Sequence, residues 1–218
     1  MIKVINYTPN PLTLMGKTAS ACWDSTPSPQ IGIDTIESGH GRVLEFPDII
    51  VEIIGYSTRF ARELYTKQVG VTKLQASTRY VQYSEFDYYI PESIKNNPQT
   101  LNIYINTMEV ISRSYKQLDG YNISKQDIAN ILPLGMYTKV VLKINARAIL
   151  DMALTRLCTR ALREYRDFMN ELINTVSGLD EEWAKIMSYA KPKCEVYGKC
   201  TEKHSCGRLK LNEKAKQS

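Results

Sequence analysis

Gln75, Ser77 and Arg79 occupy alternate positions of one short polar stretch. Alternate residues of an extended segment share a face. An amide, a hydroxyl and a guanidinium on one face suit an anionic, hydrogen-bonding ligand. Arginine's planar fork matches phosphate or carboxylate oxygens, and a serine hydroxyl both donates and accepts. A solvent-facing strand surface would show the same pattern, so the residues alone leave both readings open.

A second group lies near the C-terminus, where Cys194, Cys200, His204 and Cys206 bring together three sulfurs and an imidazole. Four such ligands suit a tetrahedral structural Zn²⁺, whereas a conventional iron–sulfur cluster asks for a fourth thiolate. The five residues between Cys194 and Cys200 make the spacing looser than a Cys-x2-Cys knuckle, so free thiols are the other reading. Disulfides are disfavoured in a reducing compartment. Cys22 and Cys158 lie in apolar surroundings and are expected to be buried thiols.

The elements that must position these residues belong to a chain of 218 residues, 43% hydrophobic and 23% charged. That is enough to bury a core in one sizeable domain or two small ones. No apolar run reaches bilayer-spanning length and Met1-Ile-Lys-Val lacks a cleavable apolar region, so a cytoplasmic protein without a membrane partner is expected. The net charge of +5 is local. From Lys191 to Ser218 there are eight basic residues (Lys191, Lys193, Lys199, Lys203, Arg208, Lys210, Lys214, Lys216) against Glu195, Glu202 and Glu213. Residues 1–190 are therefore balanced and give no electrostatic reason to expect a nucleic-acid groove. The basic tail could touch phosphates, but keeping the protein soluble is the simpler role. A main domain over 1–190 and a Cys/His-containing basic extension over 191–218 are the expected boundaries.

Along the chain, Ile2–Tyr7 alternates as a strand, and Asn10-Pro11 reads as an N-cap and first helical proline for a helix toward Trp23. Ser25 to Gln30 reads as a loop. The β-branched run from Asp48 to Gly55 is the best buried strand. Ser57 caps a predicted helix through Gln68, Asn97-Pro98 opens one to Leu118, and Ser124 caps a short one before Pro133. Thr138 to Asn145 reads as a strand, Ala146 to Val176 as one long helix, and Asp180 to Tyr189 as a last amphipathic helix. Strands interspersed with helices in this way predict an α+β fold, a mixed sheet flanked by helices.

The order of features resembles the flavin-dependent thymidylate synthases, the thymidylate synthase complementing proteins. The opening Ile5-Asn-Tyr-Thr-Pro-Asn-Pro and Glu37-Ser-Gly-His-Gly-Arg-Val-Leu-Glu-Phe fit that family's N-terminal half. Ser57-Thr-Arg-Phe-Ala-Arg-Glu-Leu-Tyr resembles the helix leading into its signature motif, and Ser77-Thr-Arg-Tyr resembles the motif's end. Leu132-Pro-Leu-Gly-Met-Tyr-Thr, Asn145-Ala-Arg and Arg156-Leu-Cys-Thr-Arg-Ala resemble the C-terminal half, so that about residues 1 to 170 are covered.

The resemblance implies a homotetramer with active sites where subunits meet. It also implies FAD, dUMP as substrate, methylenetetrahydrofolate as carbon donor and NADPH as reductant. Reduced flavin completes the methyl group without a protein nucleophile, so no catalytic cysteine is needed. By position, Ser77 and Arg79 would hold the dUMP phosphate, Gln75 would stand where the family usually has glutamate, and Arg156, the catalytic arginine, would reach the nucleotide or its neighbouring flavin. Lys67, Gln68, Asn145, Arg147 and Arg160 would serve FAD. Each has an ordinary reading as well: Arg147 and Arg156 as salt-bridged helix residues, Asn145 as an N-cap.

The signature motif is degenerate. Where the family carries an Arg-His-Arg triplet, this chain has Thr66-Lys-Gln-Val-Gly. A histidine expected after Glu45 is Phe46, an arginine expected before Leu132 is Ala129, and a histidine and a glutamine expected after Arg156 are Arg160 and Leu162. A charged hydrogen bond contributes about 1.5–3 kcal/mol, so such losses bear on flavin affinity unless the pocket is rebuilt. Three functions follow in order: a divergent synthase turning dUMP into dTMP, a flavin-free pyrimidine-nucleotide-modifying relative, and an inactive nucleotide- or nucleic-acid-binding paralogue.

Overall fold

A computed structural model describes residues 1–209 of the chain. Four strands, β1 (Ile2–Tyr7), β2 (Asp48–Ser57), β3 (Val71–Gln75) and β4 (Tyr137–Asn145), form one sheet in the order β1-β2-β4-β3. Pairing can be read from its hydrogen bonds and ion pairs. Ile54 N–H donates to Met1 O and Thr8 N–H to Asp48 O, so β1 and β2 run in opposite directions. Lys139 and Lys143 of β4 reach Glu52 and Asp48 of β2 at 3.2 and 2.9 Å. Ala76 N–H donates to Lys139 O and Asn145 N–H to Gly70 O. The class is α+β as expected, and the sheet is antiparallel throughout rather than mixed, with no crossover helix joining parallel neighbours.

The strands obey the period-two rule. Ile49, Val51 and Ile53 of β2 and Val140, Leu142 and Ile144 of β4 are almost fully buried, while the lysine–carboxylate pairs occupy the other face.

The ten helices of the described residues are α1 (Pro11–Trp23), α2 (Pro29–Glu37), α3 (Thr58–Leu64), α4 (Glu92–Lys95), α5 (Pro98–Gly120), α6 (Lys125–Ile128), α7 (Ala146–Arg156), α8 (Arg163–Ser177), α9 (Glu181–Met187) and α10 (Lys193–Tyr197). None is long and apolar enough to cross a membrane. The chain divides into two compact units: Met1, Glu52–Lys67 and Lys73–Leu142 in the first, and Ile2–Val51, Gln68–Thr72 and the chain from Lys143 onward in the second. In the first, Tyr83, Tyr115, Ile128 and Met136 form a buried cluster with Phe86 and Leu118 against it. In the second, α8 buries Tyr165, Phe168, Met169, Leu172 and Val176 along one stripe. Trp183 of α9 is buried there and donates from its indole to Thr8 O at 2.8 Å.

Several local expectations change. Asn10 is left-handed and makes no side-chain cap; its N–H donates instead to Asp180. The stretch expected as a loop through Gln30 already starts α2 at Pro29, with Ser28 Oγ accepting from Ile31 N–H. α2 lies so close to α1 that a Cβ on Gly16 would stand 1.9 Å from Ser28 O. Ser57 caps α3 as expected, but α3 stops at Leu64 instead of Gln68. The long helix from Ala146 to Val176 is broken at 157–162 without proline or glycine. Arg166 holds that break open, donating to Thr159 O and Ala161 O at 2.8 Å each. Cys22 is exposed and Cys158 half-buried, so neither is the buried thiol expected.

Candidate active site

In the first unit, β3 ends at Gln75 and the chain turns away. Tyr80 N–H and Val81 N–H both donate to Ser77 O, and Arg79 N–H donates to Ser77 Oγ at 3.2 Å. The expected shared strand face is therefore not formed: beyond Ala76 the chain no longer follows β4. The turn brings Ser77 and Arg79 together by another route, through the serine side chain itself. Gln75 stays on the strand, where its Nε2 donates to Thr138 Oγ1 at 3.2 Å. Arg79 is exposed, with its guanidinium 5.6 Å from the ring of Tyr80, itself 73% exposed. An exposed cation next to a solvent-facing aromatic ring suits an anionic ligand that carries a ring.

Lys67 and Gln68 lie in the loop between α3 and β3, Lys67 half-buried and Gln68 exposed. The Lys67 carbonyl accepts from Lys73 Nζ, whose ammonium also sits 5.1 Å from the Tyr65 ring centroid. Desolvation lowers the Lys73 pKa. Reading the sequence missed this lysine. The signal was there: it alternates with Gln75 on β3.

In the second unit, Asn145 Oδ1 accepts from Ala148 N–H at 2.9 Å and so caps α7. Gly70 packs against that cap, since a Cβ there would lie 2.6 Å from Asn145 Oδ1. Beside them is a polar cavity of ≈ 330 Å³ lined by Asp48, Lys143, Asn145 and Glu45. Arg147 Nη1 meets Glu45 Oε1 at 2.5 Å. An amide and an ammonium of this kind suit a pyrophosphate-bearing cofactor, although Lys143 and Arg147 each share their charge with a carboxylate. A second cavity of ≈ 380 Å³, also not foreseen, is walled by Trp23, His40 and Phe46, the rings of Trp23 and His40 being 6.3 Å apart edge to face.

Arg156 ends α7 with its guanidinium 4.5 Å from the buried ring of Tyr165. It lines a cavity of ≈ 250 Å³ that also takes in Arg160, Arg208 and the four residues expected to bind zinc. Arg160 Nη2 donates to His204 O at 2.9 Å, so this expected cofactor ligand is engaged by its own chain. Cys194, Cys200, His204 and Cys206 line one cavity but do not form the expected zinc centre. Among the described residues no three His, Cys, Asp or Glu side chains are grouped to hold a metal ion. Their thiols differ instead: a hydrogen bond from Thr159 holds Cys206 below its ordinary pKa, and burial pushes Cys194 up. Of the basic tail, Lys210, Glu213, Lys214 and Lys216 lie outside the described residues.

A family model for the thymidylate synthase complementing proteins matches residues 3–179. The chain belongs to that family. It is 26% identical over 236 residues to the flavin-dependent thymidylate synthase of Clostridium tetani, covering 95% of this chain and 93% of that one. With the Pyrococcus horikoshii flavin-dependent thymidylate synthase it shares 28% over 223 residues, 93% of this chain and 90% of that one. The crystal structure of Helicobacter pylori ThyX with FAD and dUMP superposes with a TM-score of 0.67 at 20% identity, covering 87% of this chain and 97% of the other. A UMP/dUMP methylase, PolB of Streptomyces cacaoi bound with 5-Br dUMP, gives 0.72 at 15%, covering 88% and 96%. These two share the fold. The family match ends at Leu179, so the Cys-rich segment stands outside it.

Proposed function

We propose that this family member methylates dUMP to dTMP, taking the carbon from methylenetetrahydrofolate, with FAD as cofactor and NADPH as reductant. The observation that carries the reading is the Ser77–Arg79 turn, closed by the Arg79 backbone N–H on Ser77 Oγ with the Arg79 side chain exposed, within a chain that matches the family from residue 3 to 179. Arg79 and Ser77 bind the phosphate; Gln75, held by Thr138, shapes the floor next to it. Arg156 orients the pyrimidine and stabilises charge developing on its carbonyl oxygens. Asn145, Arg147, Lys67 and Gln68 hold FAD, with Lys73 supplying a cation beside Lys67, and Arg160, one of whose N–H groups is taken by His204 O, reaches FAD with the rest of its fork. Bound flavin supplies the hydride that completes the methyl group. Aromatic walls at Trp23, His40 and Phe46 suit a planar ring. In this account, chains assemble as a homotetramer in the cytoplasm, and residues from neighbouring chains complete each site.

A second reading is a flavin-free relative acting on a pyrimidine nucleotide, favoured by the Thr66–Gly70 loop where three cations are expected. The test is chromatography of nucleotides after incubating the protein with dUMP, methylenetetrahydrofolate, FAD and NADPH. The proposal expects dTMP that needs FAD. Product formed equally well without flavin would transfer the assignment to the second reading, and no product would remove the synthase activity.

A further inference from the structure

Helix α7 delivers Arg156 from its final turn, yet nothing in its sequence stops the helix there. The chain beyond the family match ties that end down at two places: Arg208 Nη1 donates to Leu157 O at 3.0 Å and Arg160 Nη2 donates to His204 O at 2.9 Å. Leu157 is the C-cap residue, and the carbonyls of a helix's last turn lack intrahelical partners. A guanidinium at this end satisfies one of them and complements the negative pole of the helix. Arg208 is itself steadied by Glu195 of α10, at 3.7 Å.

We propose that Arg208 is a positioning residue for the nucleotide: by capping α7 from the C-terminal segment, it fixes the turn from which Arg156 projects. The inference rests on the reading that Arg156 contacts dUMP. From the other side Arg156 is held against Tyr165, so the arginine sits between a fixed ring and a fixed helix end. Loss of Arg208 frees the second constraint alone, and Arg156 then samples orientations that do not meet the pyrimidine.

The experiment compares full-length wild type, Arg208→Ala, Arg208→Lys and Arg156→Ala by calorimetric titration with dUMP and by amide hydrogen exchange. Removing one charge-assisted hydrogen bond should weaken dUMP about tenfold in Arg208→Ala. Exchange should quicken at 157–161 alone, and Arg208→Lys should recover most of the affinity. Should the alanine variant not fold, Arg208→Gln carries the same comparison. Unchanged dUMP affinity in Arg208→Ala, alongside a loss in Arg156→Ala, would overturn the positioning role and leave the nucleotide reading intact. Unchanged affinity in Arg156→Ala would remove the nucleotide reading and this role with it, even with faster exchange at 157–161.

Discussion

Arg79 shows what residue types reveal and what they conceal. That it and Ser77 are groups that suit an anion was legible, because guanidinium and hydroxyl chemistry do not depend on the fold. The geometry was not legible, since alternation implied a strand and the structure has a turn closed by Ser77 O and Oγ. Turn formation depends on where the partner strand stops offering hydrogen bonds, and local spacing does not carry that information. Arg79→Ala should weaken dUMP binding by about 2 kcal/mol, roughly thirtyfold, with an unchanged melting temperature. Calorimetric titration checks it, and equal affinity would take the phosphate away from Arg79.

Lys73 gives a pH signature at the same scale. Desolvation lowers its pKa in the folded chain, so the folded state releases this proton before the unfolded one as pH rises. Through that window the unfolded state binds more protons and stability rises with pH. Below both values the lysine is charged in either state and the burden of its desolvation is fully present. The stability of wild type relative to Lys73→Met should therefore increase as the pH rises toward the ordinary lysine value, as read by urea midpoints. A gap constant with pH would mean that the ammonium is not desolvated.

At the scale of elements, the apolar periods of β2 and β4 placed both strands, and the caps at Ser57, Asn97 and Ser124 placed three helix starts. What failed were the stops. α7 ends at Arg156 because Arg166, a few residues on, and Arg208, far along the chain, capture the following carbonyls. α2 was lost because Pro29 was read as loop punctuation when it is the first turn of a helix. Gly70 joins an element to the candidate site. Its φ of +76° disfavours any side chain, and a Cβ would strike the Asn145 amide that caps α7. Gly70→Ala should cost about 2 kcal/mol in urea unfolding. A loss below about 0.5 kcal/mol would show that the loop and cap relax independently.

For the whole molecule, the order of motifs from the opening strand to Arg156 was enough to name the family, and the match over residues 3–179 agrees. The Cys/His cluster was the misleading part. Ligand types suited zinc, but the thiols spread around a cavity that Arg156, Arg160 and Arg208 share, and spacing along the chain could not foresee it. The central claim is that a chain lacking the family's cationic triplet still binds flavin beside a pyrimidine nucleotide. Its most direct test is the absorbance spectrum of the purified protein after loading with FAD, desalting and adding dUMP. The account predicts a retained flavin spectrum that shifts with dUMP, and a smaller shift for Arg79→Ala. A colourless protein after desalting, with and without dUMP, would contradict it.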